Sequence, residues 1–409
     1  MISFSNKRII FFVFLSLFVT GIYFSADFGI SWDENWHRKR GKENIAYISR
    51  VLGINDILQV PENIKNPQIG VGGYGPIFEI FCILAEKSFS AKDGKAIYEL
   101  RHKINFSFYF ISIIIFYLFL KKFFKSPKIA FIGALFYLLS PRILAHGFFN
   151  SKDSIAQAIL ACAIFPLFLT FKRKSIKMSL IAGVLIGIAT TIRLPIIYLP
   201  CLFLFFIFIT NFFYGSLLEK KTKNFKTSLC FLITTILSIY IFFPELWEAP
   251  IKNFLLIFDN LNHHPWTGNN LYLGELFQPS NVPWHYIPVW IIVTTPITFL
   301  FFFITGIIKS FLNIISLKTK NNLFHIFMFA GFIVPILAII FLKAHLYNGW
   351  RHLFFIYPYM VFFMVIGFFS IYDWLCSIFS WNNSKILYSL ILITFLNPLI
   401  FIIESHPNQ

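Results

Sequence analysis

Charge is scarce in this chain. Only 13% of its 409 residues are charged, about half the share of a soluble domain, while 57% are hydrophobic and 56 are Phe. That balance excludes a single soluble core. Cysteine is scarce too: Cys82, Cys162, Cys201, Cys230 and Cys376 are scattered, mostly inside apolar runs, with no metal-ligand spacing. They read as buried free thiols. No glycine-rich phosphate loop of the GxxxxGK type occurs. There is no internal repeat and no low-complexity tail. The first apolar segment, Ile9 to Phe24, is followed by no convincing small-x-small cleavage site, so it is expected to stay as a spanning anchor.

What the chain has in abundance is apolar runs of spanning length. In lipid each run must satisfy its own backbone hydrogen bonds, so helices are expected, and the continuous rather than alternating pattern argues against a barrel. The expected fold class is all-α, a polytopic membrane protein of about 11 transmembrane helices with interfacial helices in the first outer loop. The expected spans are 9–25, 103–120, 127–143, 154–171, 177–191, 194–213, 227–243, 285–305, 323–342, 353–371 and 386–403. The formal charge of +17 reports topology rather than nucleic-acid binding. With the N-terminus inside, Lys7/Arg8, Lys121/Lys122/Lys125/Lys128, Lys172/Arg173/Lys174/Lys177, Lys220/Lys221/Lys223/Lys226, Lys309/Lys318/Lys320 and Lys385 all lie inside. Of 18 acidic residues only Glu219 and Asp373 join them. The inner loops are short, which leaves no room for a cytoplasmic nucleotide-binding domain.

Acidic chemistry therefore concentrates on the outer face. Residues 26–102 form the first long outer segment and residues 244–284 the second. The first opens with Ser31-Trp32-Asp33-Glu34-Asn35-Trp36-His37, where Ser31 or Asp33 can cap a helix. Ile45, Ile48, Val51 and Leu52 follow at helical spacing, as in a helix lying on the membrane surface. Pro61 to Gly75 reads as a loop. Pro76 to Phe89, apolar but with Glu79 and Glu86, reads as an interfacial or re-entrant helix; were it a span, every later orientation would reverse.

Asp33 is the leading candidate for a catalytic base, with Glu34 beside it; the plainer reading of Asp33 is a helix cap. Asp153 is the second carboxylate, for substrate or metal, or else the N-cap of the fourth span. Arg193 lies between two apolar spans with no acid near it in sequence, so a phosphate or a carboxylate partner is expected, or snorkelling to the interface. Arg351 with His352 suits a phosphate, the alternative being an interfacial anchor. Arg142 and Lys152 are of the same type. Asp33 and His37, spaced i,i+4, are the candidate pair for a divalent metal, with His264 a further ligand or a substrate contact. Carboxylate, cations and aromatics on one face suit a sugar carried on a lipid phosphate: a base for an acceptor hydroxyl, cations for the departing phosphate, rings for the sugar.

The motifs run in a recognisable order. Trp32-Asp33-Glu34 follows the first span, and Tyr74-Gly75-Pro76 precedes the interfacial helix. Arg101 precedes the second span. Ser140-Pro141-Arg142 and Asn150-Ser151-Lys152-Asp153 flank the next outer turn. Ile188 to Pro195 and Gly349-Trp350-Arg351-His352 complete the set. In this order the chain resembles the GT-C membrane glycosyltransferases, above all the protein O-mannosyltransferase and aminoarabinose transferase group. The resemblance implies a polyprenyl-phosphate-linked sugar donor, no nucleotide cofactor, no nucleic-acid partner, and inverting transfer with Asp33 as base. It implies a lipid, glycan or protein acceptor, with membrane lipid around the site. Two departures leave the acceptor open: no soluble domain is expected after the last span, and the first outer segment has no His-Pro-Pro. The expected location is a bacterial cytoplasmic membrane with the site on its outer face. Two other readings share these features: a flippase or transporter of lipid-linked sugars, and a polymerase or ligase of lipid-linked glycans.

Overall fold

Water is absent from the bilayer core, so backbone polar groups there pair within a helix, and a chain of apolar runs becomes a bundle. The structure, a computed structural model, describes residues 7–54, 67, 74–214, 218–262, 268–315, 322–379 and 383–408. In chain order the helices are α1 (Lys7–Phe24), α2 (Glu34–Leu52), α3 (Ile77–Ser88), α4 (Gly94–Phe124), α5 (Pro127–Leu138), α6 (Pro141–Phe149), α7 (Asp153–Arg173), α8 (Ile176–Ile192), α9 (Tyr198–Tyr214), α10 (Leu218–Phe242) and α11 (Pro250–Asn262). A hairpin of β1 (Asn270–Tyr272) and β2 (Glu275–Phe277) follows, antiparallel with Leu271 opposite Leu276. The chain closes with α12 (Tyr286–Thr294), α13 (Ile297–Ile315), α14 (Asn322–Phe341), α15 (Tyr357–Ile378) and α16 (Asn383–Ser405).

Among the described residues eight helices are long and apolar enough to cross a membrane. The pair α5–α6, bent by 70°, makes a ninth if it counts as one span. The shorter apolar segments Ile176–Ile192 and Leu194–Ile209 fall on two further expected spans. The chain is thus an all-α integral membrane protein. Helix α3 has 12 residues, about 18 Å of helix against about 30 Å of hydrocarbon, so Pro76–Phe89 does not span and the expected sidedness needs no reversal.

Local sequence explains where the expected spans break. Ser140 and Pro141 end α5 and start α6. Thr295 and Pro296 split the expected span 285–305 into α12 and α13, because the proline lacks the N–H a continuous helix needs. Pro195 stops α8 just after Arg193. Each break lies at a helix end on the side where the charged motifs gather.

One expectation changes. Helix α2 is not a lone surface helix. Its Arg40, Gly41, Asn44 and Ile45 are buried, and Gly41 packs so closely on Glu79 and Ile83 of α3 that a side chain would not fit. Phenylalanine also builds the core. Phe119, Phe123, Phe168, Phe324 and Phe362 are buried together, with Phe123 and Phe362 rings 5.1 Å apart, edge to face.

Helices α13 and α15 make the tightest crossing. Gly306 faces the Phe363 carbonyl and Gly367 the Phe302 carbonyl, and a Cβ at either position would strike the opposing backbone. Gly306→Leu should cost at least about 1–3 kcal/mol by overpacking. A thermal unfolding curve of the purified protein in detergent reads this as a lowered midpoint; an unchanged midpoint would disprove the close crossing.

Candidate active site

Four segments meet at one end of the bundle. The turn Ser31–Asp33 enters α2, the turn Asn150–Lys152 enters α7, Arg193 follows α8, and Asn348–His352 precedes α15. Left-handed backbone at Asn348 (φ 57°) and Gly349 (φ 73°) turns the last of these inward. The shared cleft, about 120 Å³, is lined by Trp32, Asp33, His37, Asn150, Ser151 and Arg351 among others.

Asp33 occupies the N-cap position of α2, yet its side chain makes no capping hydrogen bond. Its Oδ2 instead accepts from Arg351 Nη1 at 2.6 Å. The side chain is 38% exposed, and Oδ1 has no hydrogen-bond donor among the described residues. Burial by itself would raise the Asp33 carboxyl. The Arg351 charge and hydrogen bond, with smaller help from His37 and Lys152, outweigh it and hold Asp33 below the usual carboxylate range. Glu34 is spent internally: Oε1 lies 2.9 Å from His102 Nε2, and Oε2 accepts from the Ser31 backbone N–H at 2.6 Å.

Asp153 begins α7 but does not cap it. Lys152 is the N-cap residue and makes no capping bond; Asn150, two residues earlier, accepts at Oδ1 from the Asp153 N–H at 2.8 Å and the Lys152 N–H at 3.2 Å. The Asp153 carboxylate is gripped by Arg193 through Nε and Nη2 and accepts from Asn150 Nδ2 at 3.1 Å. Arg193 therefore has the carboxylate partner its position requires, and at 7% exposed it does not snorkel. Tyr74 packs against the same guanidinium, 5.4 Å from ring to Cζ, and against the Lys152 ammonium. Gly75 makes this possible: its N–H donates to the Thr191 carbonyl at 2.6 Å, and any side chain there would strike Thr191. Burial, then repulsion from Arg193, pushes the Lys152 ammonium well below its usual value.

An apolar groove of about 450 Å³ begins at this cluster. Tyr74, Arg193, Tyr347 and His352 line it, with Leu194, Tyr198, Pro335, Ile339 and Leu342 further on. Arg142 lies to one side, its guanidinium 5.4 Å from the Trp290 ring centre and 3.5 Å from the Asn348 carbonyl. The sequence candidates Asp33, Glu34, Asp153, Arg193, Arg351, His352, Lys152 and Arg142 thus come together. His264 lies outside the described residues.

The candidate metal pair fares differently. Asp33 presents one oxygen to Arg351, and His37 turns Nδ1 to Ser151 Oγ at 3.2 Å. Among the described residues no three His, Cys, Asp or Glu side chains cluster as a metal-holding group. The cations nearest the two carboxylates are arginines.

A second polar layer escaped the sequence reading. Glu79, Glu86 and Arg101 are buried: Arg101 bonds Glu79 and reaches Glu86 at 2.7 Å, and Arg38 binds Glu86 at 2.7 Å. Ser151 donates to Glu79 at 2.5 Å. The signal was present. Glu79 and Glu86 stand seven apart on an apolar helix, hence on one face, and charges in such a helix need partners.

Residues 104–247 match the family model described as dolichyl-phosphate-mannose-protein mannosyltransferase. The fold is similar to that of the Archaeoglobus fulgidus oligosaccharyltransferase in the apo form, with TM-score 0.61 and 14% identity over 97% of this chain and 56% of that one. It is similar to the same enzyme tethered with an acceptor peptide containing the NVT sequon, with TM-score 0.64 and 13% identity over 97% and 55%. It is also similar to the complex with an inhibitory peptide and a dolichol-phosphate, with TM-score 0.60 and 13% identity over 97% and 56%. The chain spans about half the length of these oligosaccharyltransferases. No curated protein matches it in sequence.

The Arg193–Asp153 pair gives a direct test of the site's assembly. Arg193→Ala leaves a buried carboxylate unpaired and should cost about 3–5 kcal/mol. Arg193→Lys should recover part of that, since an ammonium cannot grip as a guanidinium fork does. Thermal unfolding in detergent orders the three proteins; an alanine variant as stable as wild type would show the pair is not formed.

Proposed function

We propose, for a chain with the GT-C fold whose residues 104–247 match a mannosyltransferase family of that superfamily, that it transfers a sugar from a polyprenyl-phosphate carrier to an acceptor hydroxyl. The transfer takes place on the non-cytoplasmic face of a bacterial cytoplasmic membrane. One observation carries this reading. An exposed carboxylate with an uncommitted oxygen opens into a cleft whose neighbour is an apolar groove headed by Arg193 and His352, with Lys152 beside them. A lipid chain fits the groove, its phosphate fits the cations, and the carrier's first sugar then reaches the carboxylate.

The steps follow from the side chains. Asp33 Oδ1 removes the acceptor hydroxyl's proton as that oxygen attacks the anomeric carbon. The bond from that carbon to the phosphate oxygen breaks on the opposite face, and configuration inverts. The leaving group is polyprenyl phosphate, whose added negative charge falls beside Lys152, Arg193 and His352. Lys152 gains most: its depressed ammonium is restored by a phosphate at its side. Arg351 keeps Asp33 ionised and aims it. Glu34 orients, holding the Ser31–Glu34 turn through His102. Arg142 holds the Asn348 carbonyl at the rim of the cleft.

A flippase would need charges near the bilayer midplane and a path between them. Here the charges pair at one end of the bundle, which favours transfer.

Two results test the reading. Asp33→Asn should lower transfer by about 100- to 10,000-fold, the worth of a general base, while the protein still folds. Membranes given radiolabelled polyprenyl-phosphate sugars measure this as label leaving the lipid fraction; full activity would refute it. Arg351→Gln removes the charge that depresses Asp33, so its carboxyl rises and the acid side of the pH–rate profile moves to higher pH. An acid limb that stays put would separate Arg351 from the base.

A further inference from the structure

Hydrogen-bond bookkeeping fixes the protons of His37. Ser151 Oγ lies 2.5 Å from Glu79 Oε1 and 3.2 Å from His37 Nδ1. Glu79 is paired with Arg101, and a carboxylate only accepts. A hydroxyl has one proton. Ser151 therefore gives its proton to Glu79 and can only accept from the imidazole. Burial, then the Lys152 charge, lowers His37 to about 3, so the ring is neutral at neutral pH. A neutral ring has one N–H, which this chain of bonds assigns to Nδ1. Nε2 is left as a bare acceptor with no donor among the described residues. His37 lines the same cleft as Asp33, one helical turn further along α2.

We propose that His37 Nε2 is a second acceptor for substrate beside Asp33, and that the pair selects an acceptor substrate with two neighbouring hydroxyls, a saccharide, over one with a single hydroxyl. This rests on the transferase reading above. Asp33 takes the proton of the attacking hydroxyl, while His37 receives a hydrogen bond from its neighbour and takes no proton. Trp32, lining the cleft and 96% exposed, offers an aromatic face to a sugar ring. A serine or threonine side chain would occupy Asp33 and leave Nε2 unpaired, which a site built for hydrogen bonding penalises. Ser151, Glu79 and Arg101 are positioning residues that act through His37.

The tautomer can be observed without any turnover. Full-length protein labelled with ¹⁵N-histidine in lipid nanodiscs gives separate signals for protonated and bare ring nitrogens, with His37 assigned by its loss in His37→Gln. We expect Nδ1–H and bare Nε2, and release to Nε2–H in Ser151→Ala. A wild-type protein with Nε2–H overturns the inference. Titration with a panel of methyl glycosides should then move the bare Nε2 signal, while a threonine-containing peptide should not; an unmoved signal with every glycoside, or an equal response to the peptide, also overturns it. In the transfer assay, His37→Gln places an amide oxygen near the Nε2 position, whereas His37→Asn reaches only the Nδ1 position. The asparagine variant should raise KM for a saccharide acceptor at least about tenfold, the worth of one hydrogen bond of 1.4 kcal/mol, with donor KM unchanged and the glutamine variant closer to wild type. Equal behaviour of the two variants counts against the proposal. Glycoside-dependent shifts with no transfer from any donor would instead sink the transferase reading and leave the saccharide site standing.

Discussion

The cost of burying charge at a membrane edge governs this structure. Removing an ion from water costs several kcal/mol even after relaxation, and only a close partner with good geometry returns it. One end of the bundle holds Asp33, Glu79, Glu86, Asp153, Arg38, Arg101, Arg193 and Arg351. They are arranged so that each carboxylate meets a guanidinium. Those pairs tie the first outer segment to α4, α7 to the end of α8, and the entry of α2 to the entry of α15. The helices alone would pack through lipid-like surfaces with little to fix their register. The pairs supply it, and they do so at the site.

Pairing is not uniform, and the differences separate scaffold from chemistry. Arg101 is enclosed and bridges two glutamates, a closed unit with little capacity to bind anything else. Asp153 and Arg193 are enclosed too, but Arg193 also faces the apolar groove. Asp33 is the exposed member, with one oxygen fixed and one open to the cleft. A graded series from sealed to half-open is what a preorganised site needs: its reactive group is oriented by partners whose own positions are locked behind it.

Much of the fold was legible because lipid makes the rules strict. Length, apolarity and lysine bias place helices and loops, and eleven expected spans all fall on apolar helices. Pro296 shows the limit, since a run of apolar residues hides the break a single proline makes. The site was legible as a list of residues. Asp33, Asp153, Arg193 and Arg351 stand out because a charge between apolar runs demands a reason. Their pairing was not legible. Asp33 and Arg351 are 318 residues apart, and nothing local tells a carboxylate which of several arginines it will meet. Capping misled for a related reason: Asp33 and Asp153 both stand at helix starts, where a free carboxylate bonds backbone N–H groups, but a guanidinium within reach outcompetes them. Asn150, neutral and unclaimed by an arginine, bonds the Lys152 and Asp153 N–H groups instead.

The same competition explains why the cleft carries surplus positive charge. Lys152 has an aromatic ring and not a carboxylate as its partner, and Arg142 likewise rests on Trp290. A cation over an aromatic face is stabilised, but less than by a carboxylate in the same low-dielectric surroundings. Such a site favours an arriving anion most strongly while its own neutralisation is incomplete. A phosphate bearing a long apolar chain satisfies both halves of the adjoining groove at once, the polar head and the apolar length. In the proposed transfer, leaving-group charge that appears during bond cleavage meets donors already in place, and no solvent has to reorganise around it.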